Sequence, residues 1–262
     1  MFEFARWDAR KRVRGSLAMA IGLAAFAALV VWLYPSFAAE MDLDAFVDAY
    51  PQPVLEAFGF RSLSTLGGFL AVEIYSFAWI LLLGLYFAYT AASIVAGDVE
   101  DGHMDMLLSL PVSRVRLLAE RFAALSVPLV AVNVVTPVAV YASAQFVDAS
   151  VDAADLAAVH ALSVPYLLAC GAVGLVFSVL VDRENRAQRG ALGLLFGVFL
   201  LDSALSNTDL EWLGAVAPMR YYDPSEVMVE HTYDLTGAAV LLAATAALVA
   251  VALVAFRRKD VQ

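Results

Sequence analysis

The chain has 262 residues, of which 62% are hydrophobic and only 16% are charged, and its formal net charge is −10. Soluble domains are typically about 45–50% apolar and about 25% charged, so this composition excludes an ordinary soluble domain. About 20 apolar residues cross the roughly 30 Å hydrocarbon layer of a bilayer, which leaves room for about six spans and little for a separate soluble catalytic domain.

Six apolar segments follow in chain order, at residues 15–34, 69–97, 122–147, 156–181, 190–207 and 235–256. The third and sixth contain no charged residue and are the clearest membrane spans. The fifth is interrupted by Asp202, so it either crosses fully or is a short span that leads into a re-entrant segment. We predict an all-α polytopic membrane protein in which residues 1–262 form a single transmembrane domain.

Basic residues fall on alternate connections between these spans. Fourteen of the 16 lysines and arginines lie before span 1, between spans 2 and 3, between spans 4 and 5, or after span 6. Short loops rich in Lys and Arg stay on the cytoplasmic side, so both termini are predicted to be cytoplasmic. The opposite connections hold 15 acidic and two basic residues, a net charge of −13, whereas the basic side sums to +4.

The N-terminal residues have two interpretations. Phe2, Phe4 and Trp7 among basic residues favour an interfacial helix along the cytoplasmic headgroups, and the alternative is a positive flank that only fixes topology. The apolar run from Gly15 to Tyr34 is longer than the hydrophobic part of a signal peptide, so we expect it to be retained as a span.

The remaining composition limits the chemistry. The single cysteine, Cys170, has no partner for an internal disulfide, and the three histidines are scattered rather than spaced as metal ligands. Neither Lys11 nor Lys259 lies in a GxxxxGK[ST] phosphate loop, so another polypeptide must bind any nucleotide that drives this protein. Two lysines beside 26 acidic residues are also typical of a halophilic composition.

The connection between spans 2 and 3 has the most distinctive pattern. Acidic residues come first, and Met104, Leu107 and Leu108 then recur at the spacing of one helical face. Pro111 limits the length of this helix, and Ser113 is placed to cap the next one. We predict a short amphipathic helix along the membrane surface, which either transmits force from a docked partner or only covers the bundle.

Residues 102–114 resemble the cytoplasmic signature of the ABC-2 type permeases of ABC transporters, approximately E-x-G-T-x-x-x-L-L-x-x-P-V-S-R. His103 replaces the usual threonine, and Asp101 stands where glutamate is common. Residues 218–224 resemble the S-P-F-x-Y-x-x-P stretch that precedes the last span in this family. Residues 256–260 are similar to its F-x-R-[RK]-D ending.

The resemblance implies a permease subunit of an exporter in the cell membrane. Its partners would be a separate ABC-type ATPase, which binds ATP and Mg, and a second permease copy, with which it would form a homodimer. It implies no nucleic-acid partner, no catalytic residue, and no cofactor or metal in this chain. The short helix would be a coupling helix seated in a groove of the ATPase. The implied coupling residues are Asp98, Glu100, Asp101, Gly102, His103, Met104, Leu107, Leu108, Pro111 and Arg114.

The family also places spans 1 and 5 near the twofold axis and puts short re-entrant helices at the outer end. A close-approach surface consistent with the dimer is offered in span 5 by Gly190, Gly193 and Gly197. An outer gate would be formed by Trp212, Pro218, Tyr221 and Tyr222. The alternative interpretation of these aromatic residues is an ordinary interfacial belt.

A few polar residues lie within or beside the spans. Glu73 and Asp202 are the ionisable groups nearest the membrane, and their position close to the outer face favours hydrated carboxylates over functional intramembrane charges. Asn133, Thr136 and Pro137 in span 3 indicate either a kinked helix that lines a pathway or internally satisfied polar groups.

Two other classes of protein fit less well. A polytopic membrane enzyme needs acid–base or nucleophilic groups at membrane depth, and the sequence has no paired His/Glu or Ser/His set there. An ion-coupled secondary transporter normally has carboxylates near the midplane and repeat symmetry, and neither is evident. No residue selects a substrate.

Overall fold

The computed structural model describes residues 3–40, 65–109, 111–205 and 208–259, with side chains from Asp8 onward except those of Glu40 and Leu108. Within these ranges the chain forms helices and turns and no strand. Six helices in the described ranges are long and apolar enough to cross a membrane, which confirms the all-α class and the number of spans. The predicted external charges Asp42, Asp44, Asp48, Glu56 and Arg61 lie outside the described residues.

The first helix, α1, runs without a break from Glu3 to Glu40. The predicted interfacial helix is therefore not a separate element. The residues that join it to the span are mostly Ala, Arg and Lys, which favour helix, and no proline interrupts them. At about 1.5 Å per residue, its 38 residues exceed the roughly 30 Å hydrocarbon thickness, so the ends of α1 extend beyond it.

The second helix, α2, covers Leu66–Glu100 and is longer at both ends than the predicted span 69–97. Thr65 caps its start, since its Oγ1 accepts a hydrogen bond from the Gly68 N–H at 3.1 Å. The stretch Ala71–Leu83 has π-helical geometry, which is rare and frequently marks functional sites. Glu73 lies exposed on this stretch.

The remaining helices overlap the predicted apolar segments, but the third and fifth spans start earlier than expected, at Arg114 and Glu184 rather than at residues 122 and 190. Ser113 caps α4 as predicted, because its Oγ accepts a hydrogen bond from the Arg116 N–H at 3.3 Å. In chain order they are α3 (Met104–Leu108), α4 (Arg114–Ala123), α5 (Ser126–Phe146), α6 (Ala153–Leu180), α7 (Glu184–Leu205), α8 (Pro224–Met228) and α9 (Leu235–Arg258). Together α4 and α5 form the third span, and two 3-10 helices, Glu211–Val216 and Pro218–Tyr221, precede α8.

The centre of the bundle is the contact between α2 and α6. In each of these helices 67% of the most apolar window is buried, against 17–39% in the other four spans. Small residues bring the two backbones together: a Cβ at Gly174 would overlap the carbonyl oxygen of Ala88. One turn further on, the Ser178 hydroxyl accepts a hydrogen bond from the Val95 N–H at 2.7 Å. Helices α9 and α7 also pack on α6, and α1 packs mainly on α5.

A polar cluster joins α2, α5 and α6 within the bundle. Asn133 donates from Nδ2 to the Leu129 carbonyl at 2.9 Å, and its Oδ1 lies 3.2 Å from His160 Nδ1 and 3.0 Å from Ser163 Oγ. Because Asn133 Oδ1 only accepts, His160 Nδ1 carries the proton, and Nε2 accepts from the Tyr75 hydroxyl at 3.1 Å. These bonds favour the interpretation of Asn133 as an internally satisfied group.

We predict that Gly174→Ala destabilises the folded protein, because the added methyl group forces α2 and α6 apart. Overpacking of this kind costs about 1–3 kcal/mol, which corresponds to a melting-temperature decrease of several degrees. Gly22→Ala is the matched control, since a Cβ at that position meets no described atom within 4 Å. The measurement is thermal unfolding of both variants in detergent. Equal melting temperatures would contradict a tight α2–α6 contact.

Candidate coupling site and outer gate

The segment around α3 lies at one end of the bundle, called here the basic end. Contacts at this end join the N-terminal part of α1, the end of α2, the start of α4, the end of α6, the start of α7 and the end of α9. The opposite end, called the acidic end, contains Asp152 and the connection from α7 to α9. Four of the predicted coupling residues take part in contacts at the basic end, as follows.

Arg121 of α4 is the meeting point of three helices. Its Nε lies 3.1 Å from Asp8 Oδ2 on α1, and its guanidinium also forms an ion pair with Asp98 at the end of α2. Nη1 donates a further hydrogen bond to the Ile94 carbonyl at 2.8 Å. The planar guanidinium, with five donors, suits such a multiple contact. The three side chains are mostly buried, so the loss of one partner would leave an uncompensated charge.

Glu100 connects the coupling segment to the fifth span. One carboxylate oxygen accepts a hydrogen bond from the backbone N–H of Glu184, the first residue of α7, at 2.8 Å. A carboxylate at this position satisfies a free N–H group and interacts favourably with the helix dipole. Glu184 is itself held by Gln188, whose Nε2 donates to Glu184 Oε1 at 2.9 Å. This hydrogen bond links the end of α2 to the start of α7.

Arg114 connects the start of α4 to the last span. Its Nη1 donates to the carbonyls of Phe256 at 3.3 Å and Lys259 at 2.5 Å, and the guanidinium lies 5.8 Å from the centre of the Phe256 ring. Lys259 in turn donates to the Val179 carbonyl at 2.7 Å and pairs with Asp182 at 2.8 Å. Both cations lie at helix C-termini, where free carbonyl groups favour positive charge.

Gly102 turns the chain from α2 into α3. Its φ of +70° lies in the left-handed region, and it makes the paired terminal hydrogen bonds of a Schellman motif: Gly102 N–H to Val99 at 3.2 Å and His103 N–H to Asp98 at 2.9 Å. His103, which replaces the family threonine, stands at the N-cap of α3 without a side-chain capping bond to the described residues. This departure leaves the short helix without the cap that threonine would supply.

The surface of α3 is divided between the bundle and the exterior. Met104 is buried, as predicted for the apolar face, whereas the place of Leu108 on that face lies outside the described side chains. Asp101, His103 and Pro111 are exposed. Met106 is not among the residues predicted for the apolar face, and 64% of its surface is exposed. A cavity of about 300 Å³ beside it is lined by Lys11, His103, Met106 and Leu107, with the Arg121 ion pairs at its wall.

The four predicted gate residues at the acidic end have different environments. Tyr222 is buried, stacks on Tyr166 with ring centres 5.7 Å apart, and donates to the Val159 carbonyl at 2.9 Å. Burial raises the pKa of Tyr222 well above its ordinary value, so the hydroxyl remains a donor. Tyr221 donates to the Ala215 carbonyl at 2.8 Å, and Pro218 opens a 3-10 helix. Trp212 is 68% exposed, whereas Tyr222 is buried.

Sequence reasoning missed a contact that fastens the outer segment to α6. Asp155 is buried in the first turn of α6, and His231 Nδ1 lies 2.6 Å from one carboxylate oxygen. The Tyr233 hydroxyl donates to the other oxygen at 2.8 Å, and His231 has a φ of +55°. The partners lie 76 and 78 residues apart, so no local pattern signals their contact.

The predicted glycine surface of α7 divides into two parts. A Cβ at Gly190 would lie 2.6 Å from the ring of Phe177, so this glycine packs against α6 within the same chain. Gly193 and Gly197 face no described atom within 4 Å of such a Cβ. Gly193 and Gly197 are therefore open to contact with another helix, whereas Gly190 already packs against Phe177 of α6.

Comparison with known families identifies the family of the chain. The sequence profile described as ABC-2 family transporter protein matches residues 5–261, nearly the whole chain. No curated protein matches the sequence significantly. With six apolar helices and this match, the chain belongs to the ABC-2 transporter family and is a multi-pass membrane permease of the ABC transporter type.

Proposed function

We propose that the chain is the permease subunit of an exporter in the cell membrane, driven by a separate ABC-type ATPase. Two copies form the translocation pathway as a homodimer, each contributing residues 1–262 as one transmembrane domain. ATP and Mg bind to the ATPase, and this chain binds no cofactor. Membership of the ABC-2 family supports the ATPase partner, since the family consists of transport components.

One observation carries the coupling role: the residues on either side of α3 are bonded to four other helices of the basic end. Asp98 is linked through Arg121 to α1 and α4, Glu100 to α7, and Arg114 to α9. A force on α3 would therefore reach these helices through both of its connections. The exposed face with Asp101, His103 and Met106 is left for the ATPase.

These links suggest how ATP-driven movement reaches the pathway. Packed helices joined by hydrogen bonds move as rigid bodies between discrete arrangements, so displacement of α3 is passed on to α7 and α9. The outer segment, with Trp212, Pro218, Tyr221 and Tyr222, closes the opposite end in the inward-facing state. Its attachment through Tyr222 to Val159 and through Asp155 to His231 makes it move with α6.

The distribution of charge supports a cytoplasmic basic end, and with it cytoplasmic termini. Arg114, Arg121 and Lys259 all make contacts at that end. In the dimer, α7 meets its copy through the face with Gly193 and Gly197, near the twofold axis. Gly190 is assigned to packing within the chain.

We predict that the tagged full chain co-purifies with an ATPase of the ABC type. Met106→Asp should reduce the amount of ATPase recovered at least tenfold, because it places a charge on the exposed face of α3. The substitution should preserve the fold, because Met106 is 64% exposed and the buried Met104 is not altered. Reproducible isolation of the native chain without any nucleotide-binding subunit would count against the proposal.

We predict that Glu100→Ala uncouples α7 from the ATPase, because it removes the acceptor for the Glu184 N–H. The reporter is the ATP-dependent change in maleimide labelling of Ser203→Cys, which lies at the other end of α7. Glu100→Ala should lose at least half of this change while ATP hydrolysis continues. Glu100→Gln should keep most of it, since the amide oxygen accepts the same bond. A full response in Glu100→Ala would show that this bond does not transmit the movement.

We predict that Asp152→Cys and Arg186→Cys label from opposite sides of the membrane. Both positions are exposed, and the native Cys170 is buried and contributes little background. An impermeant maleimide should label position 152 in intact cells and position 186 only after permeabilisation. Labelling of both from the same side would refute the topology.

A further inference from the structure

A second cavity lies at the acidic end, away from the coupling segment. It is an open cavity with a volume of about 580 Å³, bordered by α2, α7 and the short helices before α9. This volume is within the range of small-molecule sites in proteins. Neither the contacts of the coupling segment nor the attachment of the outer segment to α6 accounts for this cavity.

The inner wall of the cavity is apolar, and most of its residues come from the π-helical stretch of α2. The cavity residues of α2 all belong to its π-helical stretch: Val72, Ser76, Phe77, Ile80 and Leu81. The Ser76 hydroxyl donates to the Ala71 carbonyl at 2.8 Å, so it adds little polarity to the wall. Phe199 continues this wall on α7, one turn deeper than Asp202. The inner part of the cavity therefore suits a hydrocarbon chain.

The outer part of the cavity is acidic. It contains three carboxylates, Asp202, Glu211 and Asp223, and one cation, Arg220. Arg220 forms an ion pair with the Glu211 carboxylate and donates to the Glu211 carbonyl at 2.7 Å. Its Nη1 also forms a longer ion pair with Asp202 Oδ1, at 3.6 Å. Asp223 accepts a hydrogen bond from the Ser225 N–H at 2.7 Å. Because three carboxylates share one guanidinium, the lining keeps an excess of negative charge.

From this juxtaposition we propose that the cavity binds an amphiphile with an ammonium head group and an alkyl chain. The ammonium group lies against Asp202 and Asp223, and the chain lies along Phe77, Ile80 and Phe199. An anionic head group would meet the excess carboxylates and is disfavoured. That this amphiphile is a transported substrate rests on the proposed function. That it binds in the cavity does not.

The test measures protection of Ser203→Cys from a neutral maleimide, because Ser203 lines the cavity. The full chain is placed in phosphatidylglycerol nanodiscs without ATP or ATPase. Dodecyltrimethylammonium should halve the labelling rate at a concentration at least tenfold lower than dodecyl sulfate. Tetramethylammonium, which lacks the chain, should require at least a hundredfold more. Asp152→Cys, which lies outside this cavity, should not be protected.

Substitutions test separately the residues that would contact the ammonium head group and those that would contact the alkyl chain. Asp202→Asn should raise the half-protecting concentration of dodecyltrimethylammonium about tenfold, and Asp209→Asn, an exposed acid that does not line the cavity, less than twofold. Phe77→Ala leaves the carboxylates in place and should weaken binding about fivefold without changing the preference for ammonium. Equal protection by dodecyl sulfate, or equal effects of Asp202→Asn and Asp209→Asn, would overturn the proposal.

The ammonium amphiphile could be a membrane lipid or a freely diffusing molecule. Adding phosphatidylethanolamine to the nanodiscs distinguishes these two sources. Protection of Ser203→Cys by this lipid alone identifies a membrane lipid as the occupant, and absence of protection identifies a free amphiphile. Because no ATPase is present, failure of binding leaves the co-purification result intact. Conversely, a chain that binds the amphiphile but recovers no ATPase retains the site and loses the proposed transport function.

Discussion

The close contact between α2 and α6 is the constraint on which the other features depend. In a membrane, helices satisfy their own backbone groups, and helix pairs associate through close packing of small residues. Gly174 and Ser178 bring α6 against α2, and the polar cluster around His160 ties α5 to the same pair. Because α2 runs continuously from Leu66 to Glu100, its two ends are held in a fixed relation. The coupling segment follows one end, and the acidic cavity lies along the other half.

The spans were predictable because hydropathy over about 20 residues is a strong local signal. The cap at Ser113 and the turn at Gly102 also follow from local residue type. The π-helical stretch was not predictable, since its apolar residues fit an α-helix equally well. Side-chain pairs such as Tyr75 with His160 bring together residues 85 positions apart, and neither residue alone indicates its partner.

The coupling residues illustrate how a sequence signature combines two roles. The resemblance implied contact with an ATPase for the whole set, yet Asp98, Glu100 and Arg114 make contacts within the chain. A charged residue in a loop gives no indication of whether its partner is internal or external. Hydrogen-bond distances to other helices identify the internal group, although Glu100 is itself exposed, whereas Asp101 and His103 lie on the exterior. Gly190 and Gly193 differ in the same way, since only the first packs against a neighbouring helix.

The burial of Arg121 affects how strongly salt screens its ion pairs. At about 1 M salt the Debye length falls to roughly 3 Å, so attractions between exposed charges are largely screened. Arg121 retains 15% of its side-chain exposure, and Asp8 only 6%, so mobile ions have little access to their contact. A surface ion pair in the same solution would be screened more strongly. The junction of α1, α2 and α4 therefore loses less of its electrostatic attraction as the salt concentration rises.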